Sequence, residues 1–241
     1  MISVVVPCLN EEAHLPFFLG SLNQQVYPDF ELVVVDGGSW DKSRSLIDGY
    51  RENFPITGLI NETRNLGFVR NLGARATRGE ILVFTNSDAV LPWNLLNHVA
   101  FQFMDSRLQA LSGRTIPVNG GALCFASYHC FDVLRLFFAR LGRFSPSGNF
   151  LAIRKEVFWK MGGFPQVKIN EDGELGSRLS QARARVRFDW NLRVWHFAKR
   201  FKRGALKTLL FYSYVFGNFS PKLKRVLKHI EGKSAREFDG N

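Results

Sequence analysis

Residues 2–36 read ISVVVPCLNEEAHLPFFLGSLNQQVYPDFELVVVD. Two β-branched runs, Ile2–Val6 and Glu31–Val35, bound this stretch, and each ends in a turn-forming cluster: Pro7-Cys-Leu-Asn10 and Asp36-Gly-Gly-Ser39. Near-continuous apolar runs of this length fit strands buried on both faces, as in parallel sheets. Between them Leu15, Phe18, Leu19 and Leu22 recur at helical spacing, which makes the stretch a β-α-β unit. The alternation continues outward. Asp41–Tyr50 reads as helix, Gly58–Asn61 as a short strand, Gly67–Thr77 as helix and Glu80–Thr85 as strand. This order predicts a doubly wound parallel sheet for the first half of the chain. Such sheets bind ligands beyond the carboxyl ends of their strands. Those ends carry Asn10 and Glu11, Asp36 and Ser39, and Asn86-Ser-Asp88, a polar set suited to a nucleotide-sized ligand.

The second half is less regular. Leu108–Ile116 and Asn149–Ile153 read as strands, with Arg185–Asp189 and Arg193–Trp195 as two further short ones. Helices are expected over Ala122–Leu141, Lys155–Met161 and Glu171–Ala182, and beyond them over Ala205–Phe216 and Pro221–Ile230. The whole chain of 241 residues is 46% hydrophobic and 22% charged, which makes it globular rather than disordered and suits one large domain or one domain with an appendage. Three scattered cysteines, Cys8, Cys124 and Cys130, exclude a disulfide framework and a cysteine zinc site, and imply a reduced, cytoplasmic setting. The first residues read as a strand rather than a signal peptide. No run of 18 apolar residues marks a clean membrane span.

Four motifs follow one another in register: Val4-Val-Val-Pro-Cys-Leu-Asn-Glu-Glu12, Val33-Val-Val-Asp-Gly-Gly-Ser-Trp-Asp41, Gly79-Glu-Ile-Leu-Val-Phe-Thr-Asn-Ser-Asp88, and Gly148-Asn-Phe-Leu-Ala-Ile-Arg154 through Gly162-Gly-Phe164 to Asn170-Glu-Asp172. Together they resemble the family 2 glycosyltransferases over roughly residues 2–196. The resemblance implies a GT-A fold: an α/β architecture with a Rossmann-like, mostly parallel sheet, helices on both faces, and here a C-terminal helical extension. It also implies a catalytic domain over 1–198, with donor binding in 1–105 and acceptor binding in 106–198, followed by a basic, aromatic tail over 199–241.

The same resemblance assigns roles. Pro7, Leu9, Asn10 and Glu11 would lie along the nucleoside of a nucleotide-diphosphate sugar, with Asp36 and Ser39 near its base or ribose. Gly67, Arg70 and Asn71 would approach from the other side, Arg70 as a charge-assisted phosphate donor. Asn86-Ser87-Asp88 takes the place of the family's Asp-x-Asp motif. Asp88 becomes the principal ligand of a divalent cation, Mg²⁺ or Mn²⁺, with His196 beside it. Asp172 would be the general base of an inverting transfer to an acceptor hydroxyl or lipid phosphate, and Glu171 its neighbour. The chain departs from the family pattern twice. Gly37 stands where a second acid is usual, which leaves uridine or guanosine open, and Asn86 stands for the first acid of Asp-x-Asp. These departures keep a catalytically inactive sugar-nucleotide-binding protein as an alternative. A nucleotidyltransferase, the other alternative, would want a Gly-rich phosphate loop that Pro7–Glu12 lacks.

Charge sets the end of the chain apart. Of the net +11, a stretch from Trp190 to Ile230 with ten Lys/Arg and no Asp or Glu supplies most. Basic residues flank an apolar, aromatic run, which suits peripheral association with a membrane and a lipid-linked acceptor. Packing on the domain or on a second subunit in a homodimer suits it too. Nucleic acid is disfavoured, because no nucleic-acid-binding motif accompanies the charge.

Overall fold

The computed structural model describes residues 1–167 and 170–198. The chain alternates as the first half predicts: β1 (Ile2–Cys8), α1 (Leu15–Asn23), β2 (Phe30–Asp36), α2 (Ser43–Asp48), β3 (Ile56–Ile60), α3 (Leu66–Arg75) and β4 (Ile81–Thr85). It continues with β5 (Ala89–Val90), α4 (Leu95–Gln102), β6 (Ala110–Pro117), α5 (Gly121–Arg140), β7 (Phe150–Arg154), α6 (Lys155–Lys160), α7 (Glu171–Gln181) and β8 (Val186–His196). The strands form one eight-stranded sheet in the order β3-β2-β1-β4-β7-β6-β8-β5. β3, β2, β1 and β4 run parallel, as do β6 and β8, while β7 lies antiparallel between β4 and β6 and stitches the halves together.

Side chains alternate across the strands and so build two cores. Val4, Val6, Leu32 and Val34 pack with Leu15, Phe18, Leu19 and Leu22 of α1 and Leu95, Leu96 and Val99 of α4. Val5, Val33, Leu82 and Phe84 pack on the opposite face with Val157 and Phe158 of α6 and Leu175 and Leu179 of α7. This two-sided burial is why the strands read as unbroken apolar runs rather than alternating ones. α3 starts at Asn65, whose side chain accepts from the Phe68 N–H at 2.9 Å. One glycine is demanded by contact: a Cβ on Gly67 would come within 2.3 Å of the Pro165 carbonyl oxygen.

Three details differ from the sequence expectation. The two short strands at 185–195 are one strand. β8 keeps pairing with β6 through a register shift opposite Gly113/Arg114, where Asp189 Oδ1 accepts from the Asn191 N–H at 2.9 Å. β5, two residues long, was not expected. Its pairing Ala89↔His196 and Val90↔Trp195 comes from the end of β8 rather than from any local pattern. α5 is interrupted in sequence by polar residues, yet it is the one helix among the described residues long and apolar enough to cross a membrane. The helices expected at 205–216 and 221–230 lie outside the described residues.

Candidate active site

The carboxyl ends of β1 and β2 carry two loops that are laced together. Asn10 adopts a left-handed conformation (φ 51°), which its short amide side chain tolerates, and its Oδ1 accepts from the Trp40 N–H at 3.1 Å. In return the Asn10 and Glu11 N–H groups donate to the hydroxyls of Ser39 and Ser43, both at 2.9 Å. Glu12 closes the lace, its N–H on Asp41 and its carboxylate on the Lys42 N–H. Asp36 is buried at the centre. It accepts from Ser39 and from Arg44 Nε. Its charge is therefore balanced inside the protein, by an arginine that no motif pointed to. Pro7 and Leu9 border the same loop, and Gly37 leaves room for Leu9, whose Cδ1 would be 3.3 Å from an added Cβ. Cys8 below them is no nucleophile, since burial pushes its thiol up to about 12.

Arg70 joins the later motifs. It is 2% exposed, with Nη1 donating to Glu171 Oε1 at 2.8 Å and Nη2 donating to Asn86 Oδ1 at 3.0 Å and the Gly148 carbonyl at 2.9 Å. The Phe164 ring covers the guanidinium at 5.3 Å. An arginine so committed does not fit the expected phosphate contact. It holds β4's end, the Gly148 turn and the start of α7 in one arrangement. Asn71 is likewise occupied, its amide exchanging hydrogen bonds with the Phe164 backbone at 2.8 and 2.9 Å. Gly67, Arg70 and Asn71 thus have structural work where a nucleotide contact was expected.

Asn86 is spent at both ends. Besides accepting from Arg70, its Nδ2 donates to Asn149 Oδ1 at 2.7 Å. Ser87 is buried beneath the loop. Asp88 faces His196, with Oδ1 3.5 Å from Nε2, and the Asp88 carbonyl accepts from the Phe197 N–H at 3.2 Å. Phe197 in turn meets the His14 ring at 4.6 Å and so draws the first loop toward this pair. Asp172 lies beside Gly148, where an added Cβ would be 3.1 Å from its Oδ2. Glu171 is buried against Arg70 and Asp172 is half-exposed, so of the two only Asp172 is open to a substrate.

A divalent cation fits here only if its substrate completes the shell. Among the described residues no group of three or more His, Cys, Asp or Glu could hold a metal. Asp88 and His196 supply two donors, and His196 Nδ1 is buried without a hydrogen-bond partner. One or two protein ligands plus phosphate oxygens is the usual arrangement for Mg²⁺. Next to this pair a cavity of about 340 Å³ is walled by β6 from Arg114 to Pro117 and by α5 residues including Phe125, Tyr128 and His129. The Tyr128 ring lies 6.4 Å from that of His196. Asn149, Arg44 and Tyr128 escaped the sequence reading. Asn149 sits inside a quoted motif and was findable, whereas the other two meet their partners only through the fold.

Comparison with known proteins bears on the family and the fold. The family described as Glycosyl transferase family 2 matches residues 3–162. The O-antigen chain rhamnosyltransferase RfbN of Salmonella typhimurium is 27% identical over 203 residues, covering 78% of this chain and 63% of that protein. The poly(ribitol-phosphate) beta-N-acetylglucosaminyltransferase TarS of Staphylococcus aureus is 30% identical over 127 residues, covering 48% of this chain and 22% of that one. The chain spans less than two thirds of such curated relatives, from 24% to 63% for the two named RfbN and YfnE. Among solved structures, the mannosyltransferase PcManGT of Pyrobaculum calidifontis, in complex with GDP-Man and Mn²⁺, superposes with a TM-score of 0.75 at 22% identity, covering 95% of this chain and 68% of that one. TarS 1–349 in complex with UDP-GlcNAc gives 0.68 at 20% identity, with 88% and 66% covered. The fold is GT-A.

Proposed function

We infer the function from one premise: the chain belongs to glycosyl transferase family 2. It transfers a sugar from a UDP- or GDP-sugar to an acceptor hydroxyl or lipid phosphate, with inversion at the anomeric carbon. The observation that carries this reading is the convergence on Arg70. One guanidinium binds Asn86, Gly148 and Glu171, and so brings the candidate cation ligand Asp88 and the candidate base Asp172 to one end of the sheet.

In the step itself the acceptor oxygen attacks the anomeric carbon and forms the new glycosidic bond. The bond from that carbon to the diphosphate breaks, and the nucleoside diphosphate leaves with the electron pair. The acceptor's proton passes to a carboxylate oxygen of Asp172, so no covalent sugar–protein intermediate is required. Asp88 and His196 would hold a divalent cation together with diphosphate oxygens, and when bound the cation neutralises charge on the leaving group. The loops at Pro7–Glu11 and Asp36–Ser39 form the nucleoside side, in the half spanning 1–105. The acceptor enters in the half spanning 106–198, through the cavity between β6 and α5.

The test is titration calorimetry with UDP- and GDP-sugars, with and without Mn²⁺, on the native chain and on Asp88→Ala. Binding of one base class that strengthens with cation and loses that gain in Asp88→Ala is the expected result. Donor binding that ignores both cation and chelator removes the metal from the reading. Asn86, a neutral residue whose amide oxygen and nitrogen each bond within the protein, favours the inactive alternative enough to require a second readout. Tight donor binding with no transfer or donor hydrolysis would establish that alternative.

A further inference from the structure

α5 is built the wrong way round for a helix with one face in water. Ser127, Asp132 and Arg135 point inward and are buried, while Leu123, Val133 and Phe137 point outward and are 44–56% exposed. Soluble surface helices show the reverse, and an exposed apolar stripe of this length marks a contact surface. The inward charges also fix the helix in place. Asp132 is 3.1 Å from Arg135 Nη1 and 3.8 Å from Arg114 Nε, and accepts from the Thr115 N–H of β6 at 3.3 Å. Pulling α5 away to span a bilayer would strand that buried ionic cluster. The helix therefore stays on the domain with its apolar side outward.

We propose that this outer face of α5 rests on an anionic lipid surface. Charge selects the occupant. Asp132 is the only acid between Ser106 and Lys155, and it is buried, whereas Arg140 and Arg143 are exposed at the C-terminal end of the helix. At the other end Ala198 packs on Cys124 and Tyr128, and the sequence running on from it carries nine Lys/Arg and no acid before Ile230. In sequence, cations thus follow both the end of the apolar helix and the residue that packs near its start. A second copy, or the chain's own basic tail laid along the helix, would set like charges against one another. An anionic membrane surface complements both the charge and the apolar face. Docking is independent of glycosyl transfer, since donor binding is measured without vesicles, and either can fail alone.

Cys130 provides the probe. It is exposed on α5, whereas Cys8 and Cys124 are buried. The full chain labelled at Cys130 with an environment-sensitive fluorophore is mixed with phosphatidylglycerol/phosphatidylcholine vesicles, with phosphatidylcholine vesicles alone, and with the anionic vesicles bearing nitroxide acyl chains. The expected result is co-sedimentation with anionic vesicles only, weakened by salt, with a blue-shifted probe quenched by the nitroxide. Val133→Glu and Phe137→Glu, each checked for native melting, should lower partitioning by about tenfold or more. If these variants fail to fold, quenching in the unsubstituted chain decides. Absence of binding at low salt overturns the proposal, as does binding with an unquenched probe. So do a Cys130 thiol protected from labelling in the monomer, which would place the tail on this face, and a dimer abolished by Phe137→Glu.

Discussion

Asp172 is the proposed base: it lies beside the Gly148 turn, while its neighbour Glu171 is engaged by Arg70. Asp172→Asn keeps size and hydrogen-bonding reach but cannot act as the base. Transfer should fall by about 10²–10⁴-fold, with donor affinity unchanged by calorimetry. Near-native turnover would remove Asp172 from the mechanism. Arg70 acts through others. Arg70→Lys retains the charge but cannot serve Asn86, Gly148 and Glu171 at once. We expect kcat to fall well beyond any change in donor KM, together with a destabilisation of about 1–3 kcal/mol as the half-buried Asn86 and Gly148 oxygens lose their hydrogen bonds. A variant that melts and turns over like the native chain would contradict the hub. The sequence placed Asp88 just after a strand and Asp172 at the start of a helix, and the structure has both there. The burial of Arg70 was not legible, because its three partners lie 16, 78 and 101 positions away.

Elements were read well where burial on two faces produced long apolar runs, and poorly where pairing was set from a distance. β5 exists only because the end of β8 reaches it, and β8 was divided at Asp189–Leu192 because a bulge interrupts the pattern without ending the strand. The inverted orientation of α5 was equally hidden, since which side faces the sheet depends on Arg114 and Thr115. Glu31 ties three elements. Its carboxylate accepts from Ser3 Oγ at 2.7 Å on β1, and from the N–H and Nε of Arg78, at 2.6 and 2.9 Å, ahead of β4. Burial alone would raise its pKa, but these hydrogen bonds and the Arg78 charge outweigh that and hold it below the usual carboxylate range. A depressed acid stabilises the fold above its unfolded pKa, near 4.5, and loses that contribution as pH falls through the folded value. Glu31→Gln should therefore destabilise by about 1–3 kcal/mol at neutral pH. The gap to the native chain should close in acid below about pH 4, read by denaturant midpoints. A gap that is constant with pH would show that packing, not charge, is lost.

Across the whole molecule the two halves share one sheet, and β7 is the joint. β1, β2 and β3 pair across only 24–28 positions, whereas β4 reaches β1 across 79 and β7 across 65–73, from Ile81↔Arg154 to Thr85↔Phe150. Pairings of such separation close late, because the intervening loop must first be ordered. Refolding followed by pulsed hydrogen exchange should protect β1 and β2 amides before those of β6 and β7, and simultaneous protection would refute this order. The antiparallel insertion also has a consequence during synthesis. Until the ribosome has released Arg154, β4 presents an open row of peptide groups along its outer side, and such edges recruit strands from other chains. A nascent chain stalled anywhere in α5 is therefore the form of this protein most prone to aggregate, and the one with most need of a chaperone.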